Sequence, residues 1–588
     1  MKSATGGILV LLITFLAAKA EGGTQDERFE ALGKRYLREF PALSPVGATF
    51  LGDHRFDGLL DEVTPEARER KAAFNRRYLK LLQTFEPEQL SRANQVDWVL
   101  LNRHLRAELW RLTELKEWQW NPLLYTGLTG GAVYSLLCRP FAPLQERLAH
   151  VADRLFKFPR LLEQVRKTLV VGRVPKVHAE TAVKQNRGIF SLLDHMVEPE
   201  LPHLPPDLRS RLKKALSVAR NALTKHQKWL EEELLPKAAG TWRVGPEIFD
   251  AKLRFALQTP LSRQEIRKLA EKELRRARLE MYEIAKGVYL KKHPYTVFPE
   301  KPSKPYRQAI IRAALELAYA ETPKPDRIVE AARRSLRITT EFVRSKDLVT
   351  VPPDPLEIIV MPEFRRGVSL AYCDSPGPLE VGQKTFYAVS PPPEDWTEEQ
   401  VRSFLREYNI RSLHNLTIHE AMPGHFLQLA HSNRYPSKLR AVLSSGVFIE
   451  GWAVYGEKLM CEEGFLNGDP LMRLIRLKWL LRAVANAIID QAVHCEGMTR
   501  EEAMRLMIED TFQEEREAAG KWIRAQLTSV QLSTYFVGYL EHLRLRKTAE
   551  KVWGDSFRLK RYHDTVLSFG SPPPRFVEAL MFGKPIPR

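Results

Sequence analysis

Ile418-His419-Glu420-Ala421-Met422-Pro423-Gly424-His425, followed by Phe448-Ile449-Glu450-Gly451-Trp452-Ala453, brings two imidazoles and two carboxylates onto segments that otherwise read as buried helix. A zinc-activated water needs neutral ring nitrogens, one carboxylate to complete the coordination, and a second, free carboxylate to take a proton. Sustained helical periodicity with few long linkers implies a mainly helical fold around them. In the common zinc-peptidase helix the histidines stand at i and i+4, on one face. Here they are six residues apart, about 600° on a regular helix, which sends them to different faces. Pro423 and Gly424 supply the correction. Pro423 has no N–H and clashes with the carbonyl of His419, Met422 before it is pushed out of helical geometry, and Gly424 adopts dihedrals closed to other residues. A helix that breaks after Met422 lets His425 swing back toward His419.

Glu450 opens an otherwise apolar helix with Val447, Phe448, Ile449, Trp452, Ala453 and Val454. A carboxylate there needs a cation or donors to stay ionised, and a divalent metal answers that need. Glu457 lies seven residues on, on the same face. It suits either a hydrogen bond that orients a ligand imidazole or a salt bridge to an arginine. Glu420, adjacent to a ligand, projects beside the ion and is the expected general base.

The 588 residues are 44% hydrophobic and 28% charged, an ordinary globular composition. Lys2, the apolar run Gly6–Ala18 and Ala18-Lys19-Ala20 read as a signal peptide over residues 1–20 with cleavage after Ala20. Glu21 rather than Cys follows, so no lipid anchor is expected. No later segment reads as a membrane span, and the expectation is export to the periplasm or beyond. Removing Lys2 and Lys19 takes the formal charge from +18 to +16, a basic surface suited to anionic partners, although no nucleic-acid-binding motif accompanies it. Cys138, Cys373, Cys461 and Cys495 are too widely spaced for a compact zinc module, and export permits disulfides whose pairing the sequence leaves open.

Apolar residues at three- and four-residue steps, as in Trp98, Leu101, Leu105 and Leu109, predict helices through residues 25–120. Residues 120–142, with Gly127, Gly130 and Gly131, read as a loop. Ser262-Arg263-Gln264-Glu265 and Thr397-Glu398-Glu399-Gln400 are capping boxes that open helices. Leu356–Val360, Val368–Tyr372 and Thr385–Val389 are β-prone runs between Pro and Gly, predicting a small antiparallel sheet. Such a sheet either presents an edge to an extended peptide or is a purely structural hairpin.

Together His419–His425, Leu427-Gln428 and Glu450–Glu457 resemble the bacterial DUF885 family. So do Arg482 through Asp490 to His494, Tyr535-Phe536-Val537-Gly538, Leu543-Arg544, and His563-Asp564 to Gly570-Ser571. The resemblance is close over the C-terminal two-thirds and rests on length and helicity in the N-terminal third. The family is regarded as similar to gluzincin-type helical zinc metallopeptidases. Carried onto this chain, that implies His419, His425 and Glu450 as ligands of one zinc ion and Glu420 as base. Phe426 stands where the family often has a further His. His494 and Tyr535 occupy motif-like positions and are candidate catalytic oxyanion donors. Arg544 is a candidate fork for a substrate carboxylate.

The sequence thus predicts a large, mainly α, metallopeptidase-like fold, residues 21–588 forming one helical catalytic unit, either undivided or of two lobes, with a small antiparallel β-sheet beside a deep active-site cleft. The expected activity is hydrolysis of peptide bonds in small or unstructured peptides, carboxypeptidase and dipeptidase action included, with no nucleic-acid partner. A zinc amidase or esterase acting on a non-peptide substrate is the nearest rival. A non-catalytic helical binding protein with a structural metal is the other, and the non-ligating Glu420 argues against it.

Overall fold

Four capping boxes punctuate the chain. Thr24, Ser262, Thr397 and Thr499 each accept a hydrogen bond from the backbone N–H three residues on, while the Glu or Gln at that position bonds back. The computed structural model describes residues 23–361, 371–393 and 396–588. The expected signal peptide and Val368–Leu370 lie outside them. Ser262 opens the helix Arg263–Lys292 and Thr397 the helix Glu398–Glu407, where the sequence places them. Among the described residues, no helix is long and apolar enough to cross a membrane.

The fold is mainly α, and its interior gathers around two large hydrophobic clusters, one drawn from residues between Val46 and Leu234 and one from residues between Phe249 and Val577. Six helices of the second half position the site: α1 (Ile410–Glu420), α2 (His425–Ser432), α3 (Gly446–Glu462), α4 (Pro470–Gln491), α5 (Glu515–Leu527) and α6 (Ser533–Trp553). Helix α4 is buried almost all round, its polar residues Arg476, Lys478, Asn486 and Asp490 included. Its buried Lys478 donates to Glu407 at 2.8 Å and to the Tyr319 hydroxyl at 2.9 Å. Helices α3 and α6 touch backbone to backbone. A Cβ on Gly451 would lie 2.3 Å from the carbonyl carbon of Gly538, and one on Gly538 would lie 2.2 Å from the carbonyl oxygen of Val447. Only glycine fits at either position.

Two expectations are corrected. The segment read as a loop at 120–142 is largely the helix Leu123–Leu137. Its faces are mostly buried, and Gly131 packs against Val46 and Phe50, so tertiary packing overrides the glycine signal. The sheet is mixed rather than antiparallel. Strands β1 (Leu356–Val360), β2 (Ala371–Asp374) and β3 (Thr385–Val389) order as β1-β3-β2, with β1 parallel and β2 antiparallel to β3. The strand with four of five residues buried, β3, takes the centre, and β1 and β2 must then flank it. The connection from β2 to β3 reaches the N-terminal helices: Leu379 N–H donates to the Leu51 carbonyl at 2.8 Å, and Arg139 pairs with Asp374 at 2.7 Å.

The two halves are also tied by Arg440, whose fully buried guanidinium pairs with Asp97 at 2.6 Å and donates to the carbonyls of Ala93 and Phe569. Ser437 completes the Asp97 carboxylate. Removing one partner of such a pair leaves a buried charge uncompensated. Asp97→Ala is expected to lower the free energy of unfolding by about 3–5 kcal/mol, measured by denaturant titration. A loss under about 1 kcal/mol would reduce this tie to the rank of a surface ion pair.

Candidate metal centre

Helix α1 ends at Glu420 and α2 begins at His425, so the break falls where Pro423 and Gly424 predict it. The turn between them folds onto the end of α1. Gly424 N–H donates to the Ile418 carbonyl at 2.9 Å, and a Cβ on Gly424 would stand 1.8 Å from the His419 carbonyl oxygen. Trp452 on α3 pins the turn through an indole N–H bond to the Pro423 carbonyl at 2.8 Å. The result is that the imidazoles of His419 and His425 meet, ring centroids 4.7 Å apart and nearly perpendicular.

Glu450 reaches both. Its Oε2 lies 3.5 Å from Nε2 of His419 and 3.5 Å from Nε2 of His425, and all three candidate donor atoms fall within 4.8 Å of one another. Zinc–nitrogen and zinc–oxygen bonds of about 2.0–2.2 Å in tetrahedral geometry set ligands roughly 3.3–3.6 Å apart. That Oε2 atom is buried and has no hydrogen bond, a costly state for a carboxylate oxygen unless a cation takes it. The donor set therefore fits one zinc ion. Glu457, with only 3% of its side chain exposed, accepts from Nδ1 of His419 at 2.8 Å, which leaves Nε2 of that ring facing Glu450. Of the two roles open to Glu457, the structure places it in the imidazole-orienting one.

The electrostatics point the same way. Burial opposes charge on His419, but Glu450 and Glu457 outweigh it and push its pKa well above the ordinary value. Burial likewise opposes charge on Glu450, and the two imidazoles overcome it and hold its carboxyl far below the usual range. Three carboxylates around two imidazoles make a buried spot that calls for positive charge. Glu420 stands at the end of α1, and one of its oxygens accepts the backbone N–H of Cys373 on β2 at 3.0 Å. Burial, above all, raises its pKa.

The remaining candidates separate. Tyr535, near the start of α6, stacks on His419 with centroids 6.5 Å apart. Burial first, and Glu450 next, push its phenol up, so the hydroxyl keeps its proton. His494 is corrected. Its Nε2 faces the carbonyls of Ala525 and Thr528 at 2.9 and 2.8 Å, and burial lowers its pKa to about 4. The ring is neutral with its only proton committed to a helix end, so it has no donor to offer a reacting oxygen. Arg544 is corrected as well. Its guanidinium pairs with Glu541 at 2.9 Å and with Glu578, which leaves no free fork for a substrate. Cys373, Cys461 and Cys495 are free thiols.

Other motif residues brace the centre from behind. The buried Asp490 carboxylate accepts the N–H groups of Val530 and Ser533 and the Ser533 hydroxyl, fixing the turn that delivers Tyr535. Tyr455 bonds His563 at 2.8 Å, and Ser571 links Gln428 and Ser432 of α2. Sequence reasoning missed Arg524 on α5, which donates to the Tyr535 hydroxyl at 3.2 Å and to Gln531 at 2.9 Å. An arginine in a chain with 90 lysines and arginines carries no signal of its own.

The chain matches the profile of a family described as bacterial protein of unknown function, DUF885, over residues 45–581. No match is found among curated proteins. Two solved structures share the fold over nearly the whole of both chains. A candidate lipoprotein of unknown function from Shewanella oneidensis is 32% identical, with a TM-score of 0.79, covering 94% of this chain and 99% of that one. A candidate lipoprotein from Colwellia psychrerythraea is 18% identical, with a TM-score of 0.78, covering 94% and 98%. At 18% identity the second likeness is one of fold. The family match spans the residues of the His/Glu cluster together with those that brace it, and the chain belongs to the bacterial DUF885 family.

Proposed function

We propose that this protein is an exported zinc-dependent hydrolase that cleaves peptide bonds in small or unstructured peptides. The observation that carries the proposal is Oε2 of Glu450, buried without a hydrogen bond and 3.5 Å from Nε2 of both His419 and His425, next to a carboxylate, Glu420, that is not among the converging donors. A purely structural metal site has no use for that extra carboxylate. His419, His425 and Glu450 would hold the ion, which when bound supplies a Lewis acid that polarises a carbonyl and acidifies a water. The order of ligands is similar to that of gluzincin-type helical zinc peptidases, from which the reaction class is taken.

The chain's own groups divide the remaining work. Glu420 has one oxygen fixed by the Cys373 N–H and the other free to accept a proton from the attacking water and pass it to the leaving amine. The protonated Tyr535 hydroxyl is the donor for the oxygen that becomes negative in the transition state. Glu457 keeps His419 in the tautomer that binds through Nε2. The edge strand β2, which carries Cys373 beside Glu420, favours an extended peptide over a compact amide or ester. An envelope location is supported by the descriptions of the two structural relatives as candidate lipoproteins.

Metal analysis of the purified protein should find about one zinc per chain. His419→Ala should abolish it, and Glu457→Gln should weaken affinity about 10–100-fold. Zinc retained in a His419→Ala, His425→Ala double variant sinks the ligand set.

Glu420→Gln should keep zinc and melting temperature while lowering turnover on a cleaved peptide by about 10²–10⁴. Unchanged turnover removes Glu420 from the mechanism, and a zinc-loaded parent that cleaves no peptide, amide or ester favours the structural-metal alternative. Tyr535→Phe should lower kcat by about 10²–10³ with little change in KM. A change confined to KM would make Tyr535 a binding residue only.

A further inference from the structure

Arg524 stands beside Tyr535 without an ion-pair partner among the described residues. It lies on α5, and its Nη2 is held by two uncharged oxygens, the Tyr535 hydroxyl at 3.2 Å and Gln531 Oε1 at 2.9 Å. Among the described residues no carboxylate comes within 4.0 Å of its guanidinium, whereas Arg411, Arg482, Arg544 and Arg546 each pair with two. A guanidinium carries five N–H donors in a planar fork. Here one nitrogen makes the bonds that fix its orientation, and Nε and Nη1 make none among the described residues.

One turn back on α5, Lys521 is 8% exposed, and Glu517, 3.9 Å from its ammonium, is also claimed by Arg482. Glu407 in turn is shared by Arg482 and Lys478. Glu407 and Glu517 are thus committed to Lys478, Arg482 and Lys521, and neither pairs with Arg524, while Glu514 faces Arg406. An oriented fork without a carboxylate partner of its own is built to take one. On the other side of Tyr535 the ring stacks on His419, so one tyrosine separates this fork from the candidate metal centre.

We propose that Arg524 binds the free C-terminal carboxylate of a short peptide whose scissile bond lies at the His419–His425–Glu450 centre, an inference that rests on the hydrolase reading above and narrows it to cleavage near the C-terminus. Tyr535 then serves both ends of the substrate: its ring lies beside a metal ligand and its hydroxyl steadies the carboxylate clamp. Arg544, the arginine that sequence motifs favour for this task, is neutralised by Glu541 and Glu578.

The test uses zinc-loaded full-length Glu420→Gln protein as a trap. It is incubated with tripeptides of randomised sequence, made both as free acids and as C-terminal amides, and the retained peptides are quantified by mass spectrometry. Free acids should be retained about 10–100-fold over amides, the worth of a hydrogen bond to a charged group. Adding Arg524→Gln should erase that preference, and Arg524→Lys should restore only part of it, because an ammonium does not reproduce the fork. Equal retention of acid and amide, retention of neither, or a preference that survives Arg524→Gln in protein of unchanged melting temperature overturns the proposal. Turnover by the parent protein separates this from the hydrolase reading. Preferential retention of acids without any cleavage leaves Arg524 in place and sinks the hydrolase. Cleavage of amidated and free peptides at equal rates does the reverse.

Discussion

Glu450 sets its Oε2 3.5 Å from two imidazole nitrogens, buried and without a hydrogen bond. The other features of the centre are arranged around that atom. A carboxylate so placed is destabilising unless a cation takes its charge, and the surrounding chain does not dilute the demand. It adds Glu457 behind His419 and Glu420 beside it. The fold therefore concentrates negative charge at one buried point and turns the imidazole nitrogens toward it, which is how a protein specifies a dication with few ligands.

Bringing those groups together requires backbones to approach more closely than side chains allow. Gly424 lies against the carbonyls of Ile418 and His419, and Gly451 meets Gly538 where α3 crosses α6. The first contact returns His425 to His419. The second draws α6 against α3, and with it Tyr535 comes over the His419 ring. The polar braces follow the same logic: Trp452 on the Pro423 carbonyl, Asp490 on the turn before α6, and Ser571 on α2 each fix a segment that carries a functional side chain. Residues that look like catalytic candidates by their motif positions are in several cases these supports, and His494 is the clearest example.

Charge is segregated across the site. The metal side is rich in carboxylates and the α5 side in cations, with Tyr535 on the boundary. In the proposed reading, a peptide lying across such a boundary would meet a Lewis acid at one point and an anion clamp at another. Such polarity would orient a substrate before any chemistry, and orientation is a large part of what a hydrolytic site must supply.

Local chemistry was enough to read the mainly helical class, the capping boxes at Ser262 and Thr397, the break between Met422 and His425, and the set His419, Glu420, His425, Glu450 and Glu457. Each depends on properties of neighbouring residues: a missing N–H, a missing Cβ, a helical period, a side-chain oxygen three residues from an N–H. Other features depended on partners far away in the chain, and only the tertiary structure decided them. Residues 123–137 are helical despite three glycines because neighbours bury them. Strand β3 lies between β1 and β2 because it is the most buried of the three. His494 and Arg544 are withdrawn from the site by Ala525, Thr528, Glu541 and Glu578, whereas Arg524 keeps its charge unmatched beside Tyr535. An ionisable side chain is free or committed according to what packs against it, and that is a property of the folded molecule rather than of the residue.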